Sequence, residues 1–579
     1  MKRAIVLIAF ALLISVHLEA GDDSRARERW VEKTLKSMSL DEKIGQMIIP
    51  AGPPPGNFRA IDSDDMLTVR RNITEFHVGG YHTFGGDPAA NALMIDEWQR
   101  MAKVPLLITA DVEGGPAYVM FGATRLPLAM SFGAAGDPQL AYDAGKLTAQ
   151  ECRAIGVNWI FYPVSDVNNN PANPIINIRS YGEDPKAVAK MVTAYIRGAQ
   201  ENGVIATAKH FPGHGDVATD SHLALPVLDV PRERFETLEL VPFRAAIAAG
   251  VDTIMTTHIY MPQLEPEKGV PATLSKSIIT GVLRDELGFK GVVVTDAMTM
   301  GGISKYFSPA DATLRAVKAG VDVLLFVPSV ETSFNTIRAA VQSGEIPQSR
   351  IDESVRRILR LKADLDLANP KNRFTDVSGL MEKVGTKPHR ELAQTVADDA
   401  VTLVRDEQHV LPLKPSPDVR VVQINILDSH NGWREGAVGR VLTAELPKRF
   451  PKSVTIQIDP ESTSAELDMA RKMAQLADVL LVNGYVRVAA FKGSIDLASS
   501  ELSLLNDLIA MKKPLVYTAF GSPYVLLHIA QLPSYVVTYD ITPAAEMAAI
   551  RAITGEIPFK GHLPVNLPGM YSIGPGREK

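Results

Sequence analysis

The segment KHFPGHGDVATDSH, Lys209 to His222, carries three histidines and two aspartates in fourteen residues. Imidazoles and carboxylates at this density suit a metal site or acid–base chemistry. His210 and His214 stand four apart, the spacing of a zinc-binding helix. Pro212, Gly213 and Gly215 break the helix which that spacing presumes, because proline removes a backbone donor and glycine raises the entropic cost. No metal is therefore expected here. Asp220 and His222 stand two apart, and in an extended segment such residues share a face. The carboxylate then accepts from one ring nitrogen, fixes the tautomer and leaves the other nitrogen to carry protons. Spacing alone is equally compatible with a solvated loop and an incidental Asp–His contact.

A proton carrier needs a reacting partner. In GFKGVVVTDAMTM the apolar run Gly291–Thr295 ends in Asp296, a carboxylate able to attack an electrophilic carbon. Asp111 ends VPLLITAD, Lys209 and His210 end VIATAKH, and Arg179 in NPIINIRSYGEDP supplies a cation. Asp111 alone can cap the turn that follows it, and Arg179 alone can pair with Glu183 or Asp184. Their weight lies in a shared position after apolar runs, where Asp166 and His258 also fall.

Those runs dictate the elements. Between about residue 40 and 330, eight strand-length runs alternate with amphipathic stretches. The stretches DPQLAYDAGKLTAQECRAIG and DPKAVAKMVTAYIRGAQENG each open on an Asp N-cap with proline at the first helical position, and each ends near glycine. The alternation predicts an α/β protein whose N-terminal domain, 25–372, is a (β/α)8 TIM-like barrel, with a doubly wound sheet as the alternative. Polar residues at strand C-termini favour the barrel, which gathers its chemistry at that face. After a linker over 373–389, the runs VRVVQINIL, DVLLVNGYV and PLVYTAFG predict a smaller C-terminal α/β sandwich domain over 390–579. It carries no dinucleotide fingerprint or phosphate loop.

The net charge of −6 over 579 residues gives no electrostatic reason to expect nucleic acid or anionic lipid. The N-terminus, MKRAIVLIAFALLISVHLEAGDDS, reads as a signal peptide over 1–20 cut after Ala20, so a periplasmic or extracellular location is expected. Its apolar run is short for a membrane span, and no later stretch reads as one. The single cysteine, Cys152, excludes an intrachain disulfide. It is expected on a buried helix face with Leu147 and Ile155. Nothing points to a cofactor, and the oligomeric state stays open.

Together KHFPGHG with the following DSH, D-x-EGG at Asp111–Gly115 and VVVTDAMTM resemble glycoside hydrolase family 3, in its two-domain β-N-acetylglucosaminidase branch. The resemblance covers nearly the whole mature chain. It implies a carbohydrate substrate and a retaining mechanism: Asp296 forms a covalent glycosyl-enzyme, His222 serves as acid and then base, and Asp220 orients His222. It further implies that Asp111, Arg179, Lys209 and His210 hold the hydroxyls of the terminal sugar. Histidine in place of the usual second carboxyl adds no negative charge beside the nucleophile. Two departures stand out. Pro116 and Val119 occupy positions where relatives often carry arginines, with Arg125 as a candidate replacement. Ala297 stands where relatives often have a second aspartate.

The resulting expectation is an exo-acting β-N-acetylglucosaminidase for cell-wall or chitin-type oligosaccharides. A β-glucosidase, β-xylosidase or phosphorolytic member of the family is the nearest alternative. A glycan-binding protein without activity and a metal-dependent hydrolase are remoter ones.

Overall fold

The computed structural model describes residues 24–54, 63–430, 438–489, 492 and 497–577, so the predicted signal peptide lies outside the described residues. The chain forms a mixed α/β structure in two units. The first is built on β1 (Ile48–Ile49), β2 (Gly80–His82), β3 (Leu107–Ala110), β4 (Trp159–Ile160), β5 (Thr207–Phe211), β6 (Thr253–Thr256), β7 (Val292–Val294) and β8 (Leu324–Leu325). Parallel ladders join β2-β3-β4, β5-β6-β7 and β1-β8. Single parallel bridges, Ala51–His82, Trp159–Ile205 and Val294–Val323, connect these groups. All eight strands are buried throughout, which is why they read as continuous apolar runs.

The strands are shorter than the runs that announce them. VNWIFYPVSDV yields only Trp159–Ile160 as strand, because Pro163 has no N–H to donate to a ladder. The helices start as their sequences imply. Asp137 accepts from Gln139 N at 2.8 Å, and Asp184 accepts from Lys186 N and Ala187 N at 2.9 and 2.7 Å. Each cap satisfies first-turn N–H groups that have no partner within the helix. Cys152, Leu147 and Ile155 are buried in the core, and burial pushes the thiol far above its ordinary range.

One buried carboxylate braces the end of this unit opposite the polar strand termini. Asp322 accepts from Val293 N at 3.0 Å, Arg284 at 2.6 Å, Arg357 at 3.0 Å and Ser354 Oγ at 2.5 Å. It thereby links β7, the helical segment Ser277–Glu286 and the helix Gln348–Asp364. Burial would raise its pKa, but the three arginines Arg284, Arg357 and Arg350 override that and hold it below the usual carboxylate range.

The second unit is a six-stranded sheet of β9 (Thr402–Asp406), β10 (Val421–Leu427), β11 (Val454–Ile458), β12 (Val479–Val486), β13 (Leu515–Gly521) and β14 (Ser534–Val537). The order is β11-β10-β12-β13-β14-β9, parallel except for β9, which runs antiparallel to β14 at one edge. Apolar clusters cover both faces. Helix Lys387–Ala400 spans the junction, giving Ala393 and Val396 to the first unit's core and Ala400 to the second's. The units meet over an apolar surface in which Leu128, Met130 and Ile178 join the second unit's cluster. Polar contacts flank it: Leu128 N to Asp540 at 3.0 Å, Asn168 Nδ2 to Tyr524 OH at 2.9 Å, and Asn566 N and Nδ2 to Glu183, both at 2.7 Å.

Replacing Asp322 by alanine leaves three arginines around an apolar hole. A loss of about 3–5 kcal/mol is expected, measured as a lower urea midpoint for the full chain. An unchanged midpoint would remove the bracing role.

Candidate functional site

Asp111, Arg179, Lys209, His210, His222 and Asp296 line one cavity of about 390 Å³. Asp220 is not in its wall but is buried against His222. His82, Phe84, Tyr118, Phe161 and Phe326 supply ring surfaces to the same cavity.

Asp296 follows β7 by two residues and accepts from Ala297 N at 2.7 Å. Burial alone would raise its pKa; His210, His258, His222 and the Ala297 N–H outweigh burial and bring it down to about 2. The carboxylate is therefore ionised at any ordinary pH. His258 donates from Nε2 to Ala297 O at 3.0 Å and is itself pushed below the ordinary imidazole range by burial.

Asp220 and His222 do pair, but for a different local reason than an extended strand provides. Leu223 N and Ala224 N donate to Asp220 O, which makes a turn. Within it, Asp220 Oδ1 accepts the backbone N–H of His222 at 2.9 Å and lies 2.7 Å from Nδ1. The His222 side chain lines the cavity. The turn rests on the segment after Asp296: Gly301 N donates to His222 O at 3.1 Å and Gly302 N to Ser221 O at 3.0 Å. A Cβ on Gly301 would stand 2.7 Å from His222 O and 2.8 Å from Leu223 O. The two glycines thus permit the imidazole loop and the carboxylate loop to lie backbone to backbone.

The four-residue histidine spacing resolves onto a carboxylate. Asp166 Oδ2 lies 2.7 Å from His210 Nδ1, and Asp166 Oδ1 accepts from His214 N at 2.7 Å. Asp166 is buried beneath the cavity and does not line it. His214 Nε2 meets Ser221 Oγ at 2.8 Å, a loop-shaping contact, and burial lowers its pKa to about 4. Among the described residues, no group of three or more His, Cys, Asp or Glu side chains is placed to hold a metal ion.

Glu113, inside D-x-EGG, gives no sign of a role in the sequence, yet it organises the wall that carries Arg179 and Lys209. Its two oxygens accept a fork from Arg179, Nε at 2.7 Å and Nη2 at 2.8 Å, and Oε1 lies 2.8 Å from Lys209 Nζ. Arg179 therefore pairs with neither Glu183 nor Asp184. Burial opposes the charge on Glu113, but Arg179 and Lys209 prevail and hold it well below the carboxylate range. Lys209 also reaches Asp111 Oδ1 at 3.1 Å, so Asp111 meets a lysine rather than capping the next turn. Consecutive strand residues ordinarily face opposite ways. Lys209 and His210 both reach the cavity because the β5–β6 register shifts between Ala208 and Phe211.

Arg125 lies outside this cavity. Its guanidinium donates to Gly114 O at 2.8 Å and Leu126 O at 3.1 Å, and sits over the Tyr118 ring. With Phe121, Arg440 and Pro543 it lines a neighbouring cavity. From the second unit, Val488 and Ala489, in the loop after β12, reach the wall of the Asp296 cavity.

Glu113→Gln keeps the shape but takes the carboxylate from Arg179 and leaves Lys209 with Asp111 alone. A stability loss of about 3–5 kcal/mol is expected, read as a lowered unfolding midpoint. The reverse double change, Glu113→Gln with Lys209→Met, is expected to recover part of it. No recovery would mean the pair is not coupled.

Residues 39–361 match the Glycosyl hydrolase family 3 N terminal domain. A β-N-acetylglucosaminidase/β-glucosidase of Cellulomonas fimi is 31% identical over 554 residues, covering 93% of this chain and 95% of that protein. Among solved structures, a family 3 β-N-acetylglucosaminidase from Paenibacillus sp. FPU-7 superposes with a TM-score of 0.80 at 34% identity, over 92% of this chain and 99% of that one. The β-glucoside phosphorylase BglX superposes with a TM-score of 0.83 at 26% identity, over 94% of this chain and 97% of that one. The cavity's Asp111, Arg179, Lys209, His210, His222 and Asp296 all lie in the matched region, and the chain belongs to glycoside hydrolase family 3.

Proposed function

We propose that the protein is a retaining exo-β-N-acetylglucosaminidase that releases terminal β-linked N-acetylhexosamine from cell-wall or chitin-type oligosaccharides. Asp296 attacks the anomeric carbon as the bond to the leaving oxygen breaks, and His222 gives that oxygen its proton. Water then attacks the glycosyl-aspartate while His222 takes the water's proton, and Asp296 is released. Asp220 holds the His222 tautomer. Asp111, Lys209, His210 and Arg179 hold the sugar's hydroxyls, aided by Glu113, which positions both cations. The proposal takes the eight neighbouring strands as a closed (β/α)8 barrel over 25–372 and residues 390–579 as a second domain. It includes export with cleavage after Ala20.

The observation that carries the reading is the division of charge in the cavity. Its lining carboxylates among the described residues are Asp111, Glu113 and Asp296. The first two are engaged by lysine or arginine, and Asp296 is held ionised among imidazoles. An ionised carboxylate suits a nucleophile and not a proton donor. The described part of the loop after β12 brings only Val488 and Ala489 to the cavity. The proton then falls to an imidazole: His210 and His222 are each oriented by a carboxylate at 2.7 Å, and His222, 22% exposed against 6% for His210, is the more open to a leaving group. That arrangement favours the N-acetylglucosaminidase reading over the β-glucosidase type. The names of the relatives span both sugars and also phosphorolysis, so sugar and acceptor are tested together.

A panel of aryl β-glycosides with good and poor leaving groups is the test. Wild type is expected to prefer the N-acetylglucosaminide, and Asp296→Ala to lose nearly all activity. His222→Ala is expected to lose about 10²–10⁴-fold on poor leaving groups and much less on good ones. Equal loss on both would end the proton-donor role. Product analysis with inorganic phosphate present separates hydrolysis from phosphorolysis by the appearance of a glycosyl phosphate.

A pH profile gives a second test. Because the Asp296 pKa lies at about 2, its ionisation is complete well below neutrality. His222→Ala removes one of the groups that hold that pKa low, but His210, His258 and the Ala297 N–H remain, so on an activated substrate the variant's rate should stay flat between about pH 5 and 7, with any acid limb below that range. A limb within that range would show that a different group carries the nucleophile's charge. EDTA is expected to leave the rate unchanged; loss with EDTA and recovery with zinc would overturn the covalent mechanism.

A further inference from the structure

The cavity contains a buried polar atom that the proposed reaction does not use. His82 on β2 is 1% exposed, and its Nε2 has no hydrogen-bond partner among the described residues. Buried polar atoms are nearly always paired, so an orphan in the wall of a binding cavity points to a ligand. Nδ1 is held at 3.0 Å by Thr109 Oγ1. Three rings fix the imidazole plane: Phe161 stacks on it at 5.7 Å and 11°, while Phe326 and Phe84 approach edge-on at 4.8 and 4.9 Å. The ring cannot turn to find another partner.

Nε2 lies 4.0 Å from Asp111 Oδ2. That is too long for a hydrogen bond between them. It is also not an ion pair near neutrality, because burial and Lys209 outweigh Asp111 and bring the His82 pKa to about 4. The separation suits a third atom. An oxygen about 2.8 Å from each would see the two at roughly 90°, an ordinary angle for a hydroxyl that both donates and accepts.

Resting on the glycosidase reading above, we propose that His82 is a specificity-determining residue: with Asp111 it grips one hydroxyl of the terminal sugar. The Thr109 hydroxyl donates to Nδ1 and leaves the ring proton on Nε2. Nε2–H donates to the sugar oxygen, and the sugar O–H donates to Asp111 Oδ2. Only a group that is both donor and acceptor satisfies the two sides. A deoxy or fluoro sugar at that carbon leaves Asp111 Oδ2 without a donor, and a carboxylate there meets Asp111 as a like charge. A neutral partner shares the hydroxyl without drawing Lys209 away from Glu113.

The test is kcat/KM for wild type, His82→Leu and Thr109→Val on p-nitrophenyl β-N-acetylglucosaminide and its 3-deoxy, 4-deoxy and 6-deoxy analogues. His82→Leu is expected to fall at least about tenfold on the parent sugar. On one deoxy analogue, the one lacking the gripped hydroxyl, wild type and variant should become equal, while the other two keep the tenfold gap. Thr109→Val, which removes the tautomer-setting hydroxyl, should show a smaller gap that closes on the same analogue. It carries the comparison alone should His82→Leu fail to fold. The same fold-loss on all four substrates would mean a purely structural histidine and overturn the inference, leaving the glycosidase reading intact. A wild type inactive on every aryl glycoside would withdraw that reading and the inference with it.

Discussion

Glu113 is buried between Lys209 and Arg179, and a lone charge there would be costly. Taking an ion out of water costs several kcal/mol even after relaxation, and only close, well-directed partners offset it. The fork from Arg179 and the contact from Lys209 meet that condition at 2.7–2.8 Å. The network ties together the loop after β3, the turn that carries Arg179 and the end of β5. Asp111, two residues before Glu113, and His210, next to Lys209, inherit their places from it. This wall of the cavity is therefore set by contacts within the chain itself.

The reacting side handles charge differently. In the proposed reaction Asp296 must stay ionised in a buried place, yet no lysine or arginine is paired with it in the described contacts. A cation in direct contact would stabilise the resting carboxylate strongly and blunt its attack. Imidazoles are gentler neighbours: they donate hydrogen bonds when neutral and take on charge only as the medium acidifies. The carboxylates that orient those imidazoles stand one layer further out. Asp220 lies behind His222 and Asp166 behind His210, each at 2.7 Å. Negative charge is thus kept near enough to fix the rings and far enough to spare Asp296.

What the sequence makes legible follows from the range of the interactions. Strand ends are marked by local runs, so Asp111, Lys209, His210 and Asp296 are found from their neighbours, and the Asp-Pro helix starts likewise. The Asp220–His222 pair is local too, though a turn and not a strand forms it. Glu113 escapes notice because its arginine lies 66 residues away. In the sequence it is only the second acid of a glycine-rich motif. His82 escapes because GGYHTF reads as an ordinary strand, and only the ring packing reveals an orphaned nitrogen. The partner of Arg179 is misread for the same reason: two acids nearby in sequence compete with one that is near only in space.

The second unit bears on the site through that same arginine. Arg179 ends the turn Asn177–Arg179, and Ile178 within it is buried in the second unit's apolar cluster. Asn168 accepts from Asn177 N at 2.9 Å while donating to Tyr524 OH at 2.9 Å. Glu183, four residues on, is held by Asn566. The turn is thus pressed from one side by the second unit and drawn from the other by Glu113. An apolar contact has no preferred direction, so burial of Ile178 sets how deep the turn sits but not how Arg179 points. The two-pronged bond to Glu113 supplies the direction. Neither constraint suffices alone, and that gives the second unit a positional part in the site even though Val488 and Ala489 are its only described side chains in the cavity wall.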